Sequence, residues 1–154
     1  KPRNGKHVLV CPAGGIICNI YGHDHEKWLD NTLKILKNNS DREVRVRHKP
    51  KIVGNKMKEK VKLEDDLKDC YAVVTHSSTV AIHAQLLGIP TFCDPVCVAA
   101  PVSHTDFSKI ESPLWDPDMR QKWLHTLAWS QFTLPEFQNG LAYKHMKRMI
   151  EERQ

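Results

Sequence analysis

"VVTHSSTVAIHAQLLGIP", from Val73 to Pro90, sets five polar side chains in a row between two segments that both read as buried. Two β-branched residues, Val73 and Val74, lead into Thr75-His76-Ser77-Ser78-Thr79, and a nearly unbroken apolar run follows. Length and punctuation separate the elements. "YAVVT" is a short β-branched and aromatic run, as strands are. Ser77 to Leu87 is long enough for a helix, with Gly88 where a left-handed cap is wanted and Pro90 unable to continue. "IPTFC" then opens a further strand. Strand, polar turn, buried helix and strand in succession predict a parallel pair with a right-handed crossover.

The segments on the N-terminal side extend the alternation. "HVLVCP", His7–Pro12, reads as a buried strand running into the loop Pro12-Ala13-Gly14-Gly15. Trp28, Leu29, Leu33 and Leu36 fall at helical spacing between Asp24 and Asn38, and Asn38-Asn39-Ser40 ends that pattern. "EVRVRHKP", Glu43–Pro50, alternates Val with charge, so a strand with one wetter face is expected, stopped by Pro50. Leu63–Cys70 is a short amphipathic turn or helix with Leu63, Leu67 and Cys70 on one side. The expected class is α/β: a Rossmann-like, doubly wound parallel sheet of four or more strands with Val73 and Val74 at its centre. Residues 1–95 form its core units, 96–118 a Pro-rich irregular stretch, and 119–154 two or three C-terminal helices, the first carrying Trp123, Leu124, Leu127 and Trp129. All are read as a single domain.

Bulk properties narrow the class. A chain of 154 residues with 40% hydrophobic content can bury one real core. No apolar run approaches the ~20 residues needed to cross a bilayer, and no charged-then-apolar signal pattern opens the chain. A start at Lys1, without an initiator Met, is consistent with an excised or processed segment. Cys11, Cys18, Cys70, Cys93 and Cys97 are odd in number and form no CxxC, which favours reduced, mostly buried thiols in a cytoplasmic protein over a disulfide framework or a zinc site.

The net charge of +5 is unevenly placed. Arg42, Arg45 and Arg47 precede Lys49, Lys51, Lys56, Lys58, Lys60 and Lys62. Such a run is either a solvated face or a positive wall for phosphates or another polyanion. No interleaved aromatic pattern points to nucleic acid, which is not excluded as a partner.

In an open parallel sheet, ligands bind beyond the carboxyl ends of the strands. Thr75, His76, Ser77, Ser78 and Thr79 sit at that edge, before a helix whose free N–H groups favour an anion. A plain N-cap needs one hydroxyl and four are present, so an anion site is the stronger reading. Arg47, His48, Lys49 and Lys51 end another strand at the same edge, and Gly14 and Gly15 permit close backbone approach in a third loop. Asp65-Asp66 reads as an acidic helix start. Ser103 or Thr105 is expected to cap a turn starting at Asp106, with His104 and Asp106 near the same edge. "GHDH", Gly22–His25, is the one metal candidate; its His23 and His25 are two apart and do not share a helix face, so no metal is expected.

With "RHKP" at Arg47–Pro50 and "HSST" at His76–Thr79, the chain resembles the C-terminal, nucleotide-sugar-binding half of GT-B-fold glycosyltransferases. The nearest likeness is to the capsular-polysaccharide, bacterial sialyltransferase and Kdo-transferase group. "AQLLGIPTF" is similar to a run that follows in many GT-B proteins. Lys49 stands between His48 and Pro50, and Gln85 stands where many GT-B transferases carry a Glu that binds the donor ribose. The resemblance implies a metal-independent glycosyltransferase domain with no cofactor beyond its donor. It would bind a nucleotide-sugar, CMP-linked in preference to UDP-linked, for polysaccharide or glycoconjugate synthesis. Gly14, Gly15, Arg47, Lys51, Thr75, His76, Ser77, Ser78 and Thr79 would hold the donor, and His48 would add charge or a hydrogen bond at the leaving phosphate. A glycan or other acceptor, and a missing N-terminal half or partner chain, complete that expectation. The alternatives are a non-catalytic nucleotide-binding or interaction domain that lacks the acceptor half, and a nucleotide-sugar epimerase.

Overall fold

The structure, a computed structural model, describes residues 5–22, 24–49, 52–53, 56–57 and 62–152. Its centre is a four-stranded, all-parallel sheet, as the alternation of elements predicts. Four strands compose it: β1 (His7–Cys11), β2 (Glu43–Val46), β5 (Cys70–Thr75) and β6 (Thr91–Cys93), in the spatial order β2-β1-β5-β6. Between β2 and β5 in sequence lies a small antiparallel pair, β3 (Ile52–Val53) and β4 (Lys56–Met57).

The register explains the unbroken apolar runs. Val8, Val10, Ala72, Val74 and Phe92 share one core cluster with Leu36, Phe107 and Ile110. Leu9, Cys11 and Val73 join Leu67, Ala84 and Ile89 in a second. Alternate side chains of one strand thus enter different clusters, so every position of β1 and β5 is apolar or hydrogen-bonded internally. Val73 and Val74 are fully buried between β1 and β6.

Helix α1 (Gly15–Ile20) follows β1, and α2 (His25–Asn39) carries Trp28, Leu29, Leu33 and Leu36 onto the first cluster. Asp24 caps α2 by accepting from the Glu26 and Lys27 N–H groups. The one-turn helix α3 (Leu63–Asp66) presents Leu63 and Leu67 to the second cluster. The expected helix at Ser77–Leu87 is shorter in the structure: α4 spans Val80–Leu86, because Ser77 and Ser78 are spent on the turn after β5. Nor is α4 apolar on a wholly buried surface, since Leu86 and Leu87 face solvent while Ala81, Ala84 and Gln85 face inward. Gly88, at φ +77, ends it in the left-handed conformation that its sequence position predicts.

The strand expected to run to Pro50 ends at Val46. Among the described residues β2 pairs with β1 alone, and the Arg47 N–H beyond it donates to the Val10 carbonyl (2.8 Å). Beyond β6 the chain is irregular, with two 3-10 turns at Ala100–Val102 and Phe107–Lys109. Asp106 itself caps the second turn by accepting from the Ser108 N–H, in place of Ser103 or Thr105. Ser103 is buried and donates to the Ala99 carbonyl. His104 forms a parallel bridge with Phe92 and lies along the outer side of β6.

The chain divides into two compact units, residues 1–120 and 121–154. The second comprises the rest of α5 (Pro117–Trp129), α6 (Leu134–Gln138) and α7 (Leu141–Glu151). Within it, the His145 ring stacks on Trp129 and meets Phe132 edge-on. No helix among the described residues is long and apolar enough to cross a membrane.

Candidate functional site

Register aligns the ends of the four strands. Val10 pairs with Val46 and Val74, and Thr75 pairs with Cys11 and Cys93. The residues that step off the sheet (Pro12, Arg47, His76 and Asp94) therefore lie along one edge. After β1 the chain turns toward β2, whereas β5 is followed by β6 on the opposite side, so strand order reverses between β1 and β5. At such a switch point the loops diverge and leave a crevice. The Gly14-Gly15 loop and the His76–Thr79 loop flank it.

Thr75 joins the two loops from beneath. Its hydroxyl donates to the Cys11 carbonyl (2.5 Å) and accepts from the Ser78 N–H (3.2 Å). His76 is fully buried beside Tyr21 and Trp28, with ring centroids 5.6 and 6.1 Å away. Its Nδ1 lies 3.0 Å from the Ser77 hydroxyl, and its Nε2 lies 3.8 Å from Asp94 Oδ2. Thr75 and His76 thus act from behind the surface, while Ser77 and Ser78 are partly exposed and Thr79 is open to solvent. Ser78 Oγ accepts weakly from the Val80 N–H (3.3 Å) at the start of α4. A Cβ on Gly14 or Gly15 would meet nothing within 4 Å, so the backbone there faces open space.

The basic strand end contributes less than its composition implies. Arg47 forms an ion pair with Asp66, and both side chains are mostly buried. That pair ties α3 to the residue after β2. His48 is exposed, 6.4 Å from the His25 ring, and Lys49 is exposed beside it. Lys51, together with Pro50, Lys58, Lys60 and His23, lies outside the described residues. His25 Nδ1 is 3.9 Å from the Cys18 thiol. Among the described residues no group of three His, Cys, Asp or Glu is arranged to hold a metal ion.

Asp94 and Trp28, neither of them read from the sequence as a site residue, complete this edge. Asp94, the first residue after β6, accepts a 2.7 Å hydrogen bond from the Trp28 indole and faces His76. They border a groove of about 610 Å³ that also includes Asp24, Asn31, Thr105 and Asp106. Capping hydrogen bonds from Lys27 N–H to Asp24, and from Ser108 to Asp106, hold both carboxyls below the usual aspartate range. The groove is therefore rich in hydrogen-bond acceptors, whereas the crevice beside it offers hydroxyls and backbone donors. The place of Asp94 directly after a strand was the available signal for it, obscured by the Pro-rich run that follows. Gln85 does not belong to this edge: its amide donates inward to Thr91 Oγ1 (2.7 Å) and the Val102 carbonyl (3.0 Å).

Against this geometry, no family model, no curated protein and no solved structure matches the chain.

Proposed function

We propose that this is a glycosyltransferase-like domain that holds a nucleotide-sugar by its phosphates in the crevice between the Gly14-Gly15 loop and the Ser77–Thr79 loop. The observation that carries the reading is the reversal of strand order between β1 and β5, with small, donor-rich residues on both sides of it. Backbone N–H groups and the Ser77, Ser78 and Thr79 hydroxyls supply donors to a phosphate without steric bulk. His48 adds a hydrogen bond or charge from the neighbouring strand end. The carboxylates and Asn31 of the adjoining groove supply acceptors for sugar hydroxyls. Catalysis in such a site is electrostatic: fixed donors stabilise the charge that grows on the departing nucleotide phosphate. A CMP-sugar is the preferred donor and a glycan the preferred acceptor, on the resemblance of the two motifs.

Thermal unfolding of the full chain with CMP, UDP, GDP and ADP tests the reading. Ligand at ~100 times its dissociation constant adds about 2.7 kcal/mol, a clear rise in midpoint. CMP is expected to give the largest shift. No shift with any of the four ends the proposal. Incubation with the matching nucleotide-sugar then separates slow hydrolysis, as transferases show, from an isomerised sugar or an intact donor.

A further inference from the structure

His76 has a different partner at each ring nitrogen. Nδ1 lies 3.0 Å from the Ser77 hydroxyl, at the crevice, and Nε2 lies 3.8 Å from Asp94 Oδ2, at the neighbouring groove. Asp94 is fixed in turn by the Trp28 indole N–H, which donates to the same oxygen at 2.7 Å. Tyr21 of α1 and Trp28 of α2 face the imidazole with their rings, and Asp94 faces it with a carboxylate. The imidazole is fully buried while Ser77 is partly exposed, so its influence on the crevice passes through that hydroxyl.

The donors and acceptors of these groups leave two arrangements. A carboxylate accepts and cannot donate, so the ring nitrogen that faces Asp94 is the one favoured to carry hydrogen. In the neutral imidazole Nδ1 then holds a lone pair, and the Ser77 hydroxyl donates to it. Ser77 in that state shows the crevice an oxygen without its hydrogen. In the imidazolium both nitrogens donate. Ser77 Oγ then accepts from Nδ1–H and keeps its own hydrogen for a partner in the crevice. A fully ionised phosphate accepts hydrogen bonds and has none to give, so it fits the second arrangement.

We propose that His76 is a positioning residue of the nucleotide site, which turns the Ser77 hydroxyl outward to the phosphate by taking up a proton from solvent at Nδ1. The inference rests on the phosphate site described above and adds to it the proton that accompanies the ligand. Burial opposes a charged ring while the crevice is empty. With phosphate bound, negative charge lies on both sides of the imidazole, at Asp94 and beyond Ser77, and the charged form gains. Ligand and proton therefore bind together, each strengthening the other by the same factor. Affinity weakens as pH rises.

The test has one arm without ligand and one with CMP. In the first, imidazole nitrogen NMR shifts of the full chain are read at about pH 8, the His76 signals being assigned by their loss in His76→Asn. Hydrogen on Nε2 and a bare Nδ1 are expected, and hydrogen on Nδ1 alone overturns the proposal. In the second, CMP affinity is measured by calorimetry from about pH 6 to 8, in two buffers of different ionisation enthalpy. The native chain should take up more protons per CMP than His76→Asn, whose own slope accounts for the titration of CMP. The native affinity should fall more steeply, by up to about tenfold per pH unit for one proton. Ser77→Ala should lose the extra slope with His76 still in place, a result that a merely structural histidine does not give. Equal proton uptake and parallel slopes in the native chain and His76→Asn overturn the proposal. If His76→Asn does not fold, Ser77→Ala supplies both the assignment, through the moved Nδ1 signal, and the reference slope. CMP that fails to bind the native chain counts against the phosphate site itself, and the nitrogen shifts then decide the direction of the Ser77 hydroxyl alone.

Discussion

Thr75 donates its hydroxyl to the carbonyl of Cys11, 64 positions earlier in the chain, across the ends of the two central strands. This bond holds the loops on either side of the crevice at a fixed separation. Both ends are buried, so losing the hydroxyl leaves a carbonyl without water to replace it. Thr75→Val preserves shape and is expected to cost about 1–3 kcal/mol of stability, read from urea unfolding. A change under ~0.5 kcal/mol would show that the two loops hold their positions without it.

Ser78 accepts weakly from the Val80 N–H, and the proposed site asks its hydroxyl to donate to a phosphate as well. If it serves the ligand, Ser78→Ala loses ~1.5–3 kcal/mol of nucleotide binding, about tenfold or more in affinity. Ser78→Asp does worse, because a carboxylate repels the phosphate. If it only caps α4, Asp holds stability and Ala loses ~1 kcal/mol. Affinity and unfolding midpoint on both variants separate the two roles.

Arg47 is bound to Asp66, and its role follows from that partner. Arg47→Ala is expected to cost about 1.5–3 kcal/mol of folding stability while changing nucleotide affinity less than twofold. His48→Ala should show the reverse, weakening nucleotide binding with little effect on unfolding. A large loss of affinity in a stable Arg47→Ala protein would return Arg47 to the ligand.

The capping carboxyls give the fold an acid limit. Asp24 is held below the ordinary aspartate value by the Lys27 and Glu26 N–H groups, and Asp106 by the Ser108 hydroxyl and N–H. A carboxyl depressed in the folded state stabilises above its unfolded pKa, and that contribution fades as pH falls through the lower, folded value. The melting midpoint should therefore decline below about pH 4. Asp24→Asn keeps a cap without titrating, so its midpoint should fall less steeply over the same range. Parallel slopes for the two proteins would remove Asp24 from the acid response.

The parallel sheet was readable because its signals are local. "HVLVC" and "YAVVT" have no polar member that needs water, and Gly88-Ile89-Pro90 marks the end of a helix. The position of Ser77-Ser78 beyond a strand end was readable for the same reason. Pairing across the sheet was not. Arg47 reads as a free cation until Asp66, 19 residues away, is brought against it. Gln85 stands in the sequence where the resemblance places a ribose-binding Glu, and only the fold shows its amide taken up by Thr91 and Val102. Asp94 gains its neighbours Trp28 and His76 only when α2 and the turns after β5 and β6 meet. Helix α1 lacks the apolar stripe that marks α2: Ile16 and Ile20 face outward, and Cys18 alone is buried.

A sheet of four strands has two open margins, each a template on which a foreign strand can grow. The chain answers this hazard differently on each side. Along β6, the passage of His104 occupies hydrogen-bonding groups: its carbonyl accepts from the Cys93 N–H, its own N–H donates to Thr91, and its ring covers Phe92. Along β2 the defence is charge, with Glu43 and Arg45 paired two positions apart on the same exposed strand. Replacing both charges with apolar residues would leave a short hydrophobic margin open to strand addition, and so to fibrous aggregation.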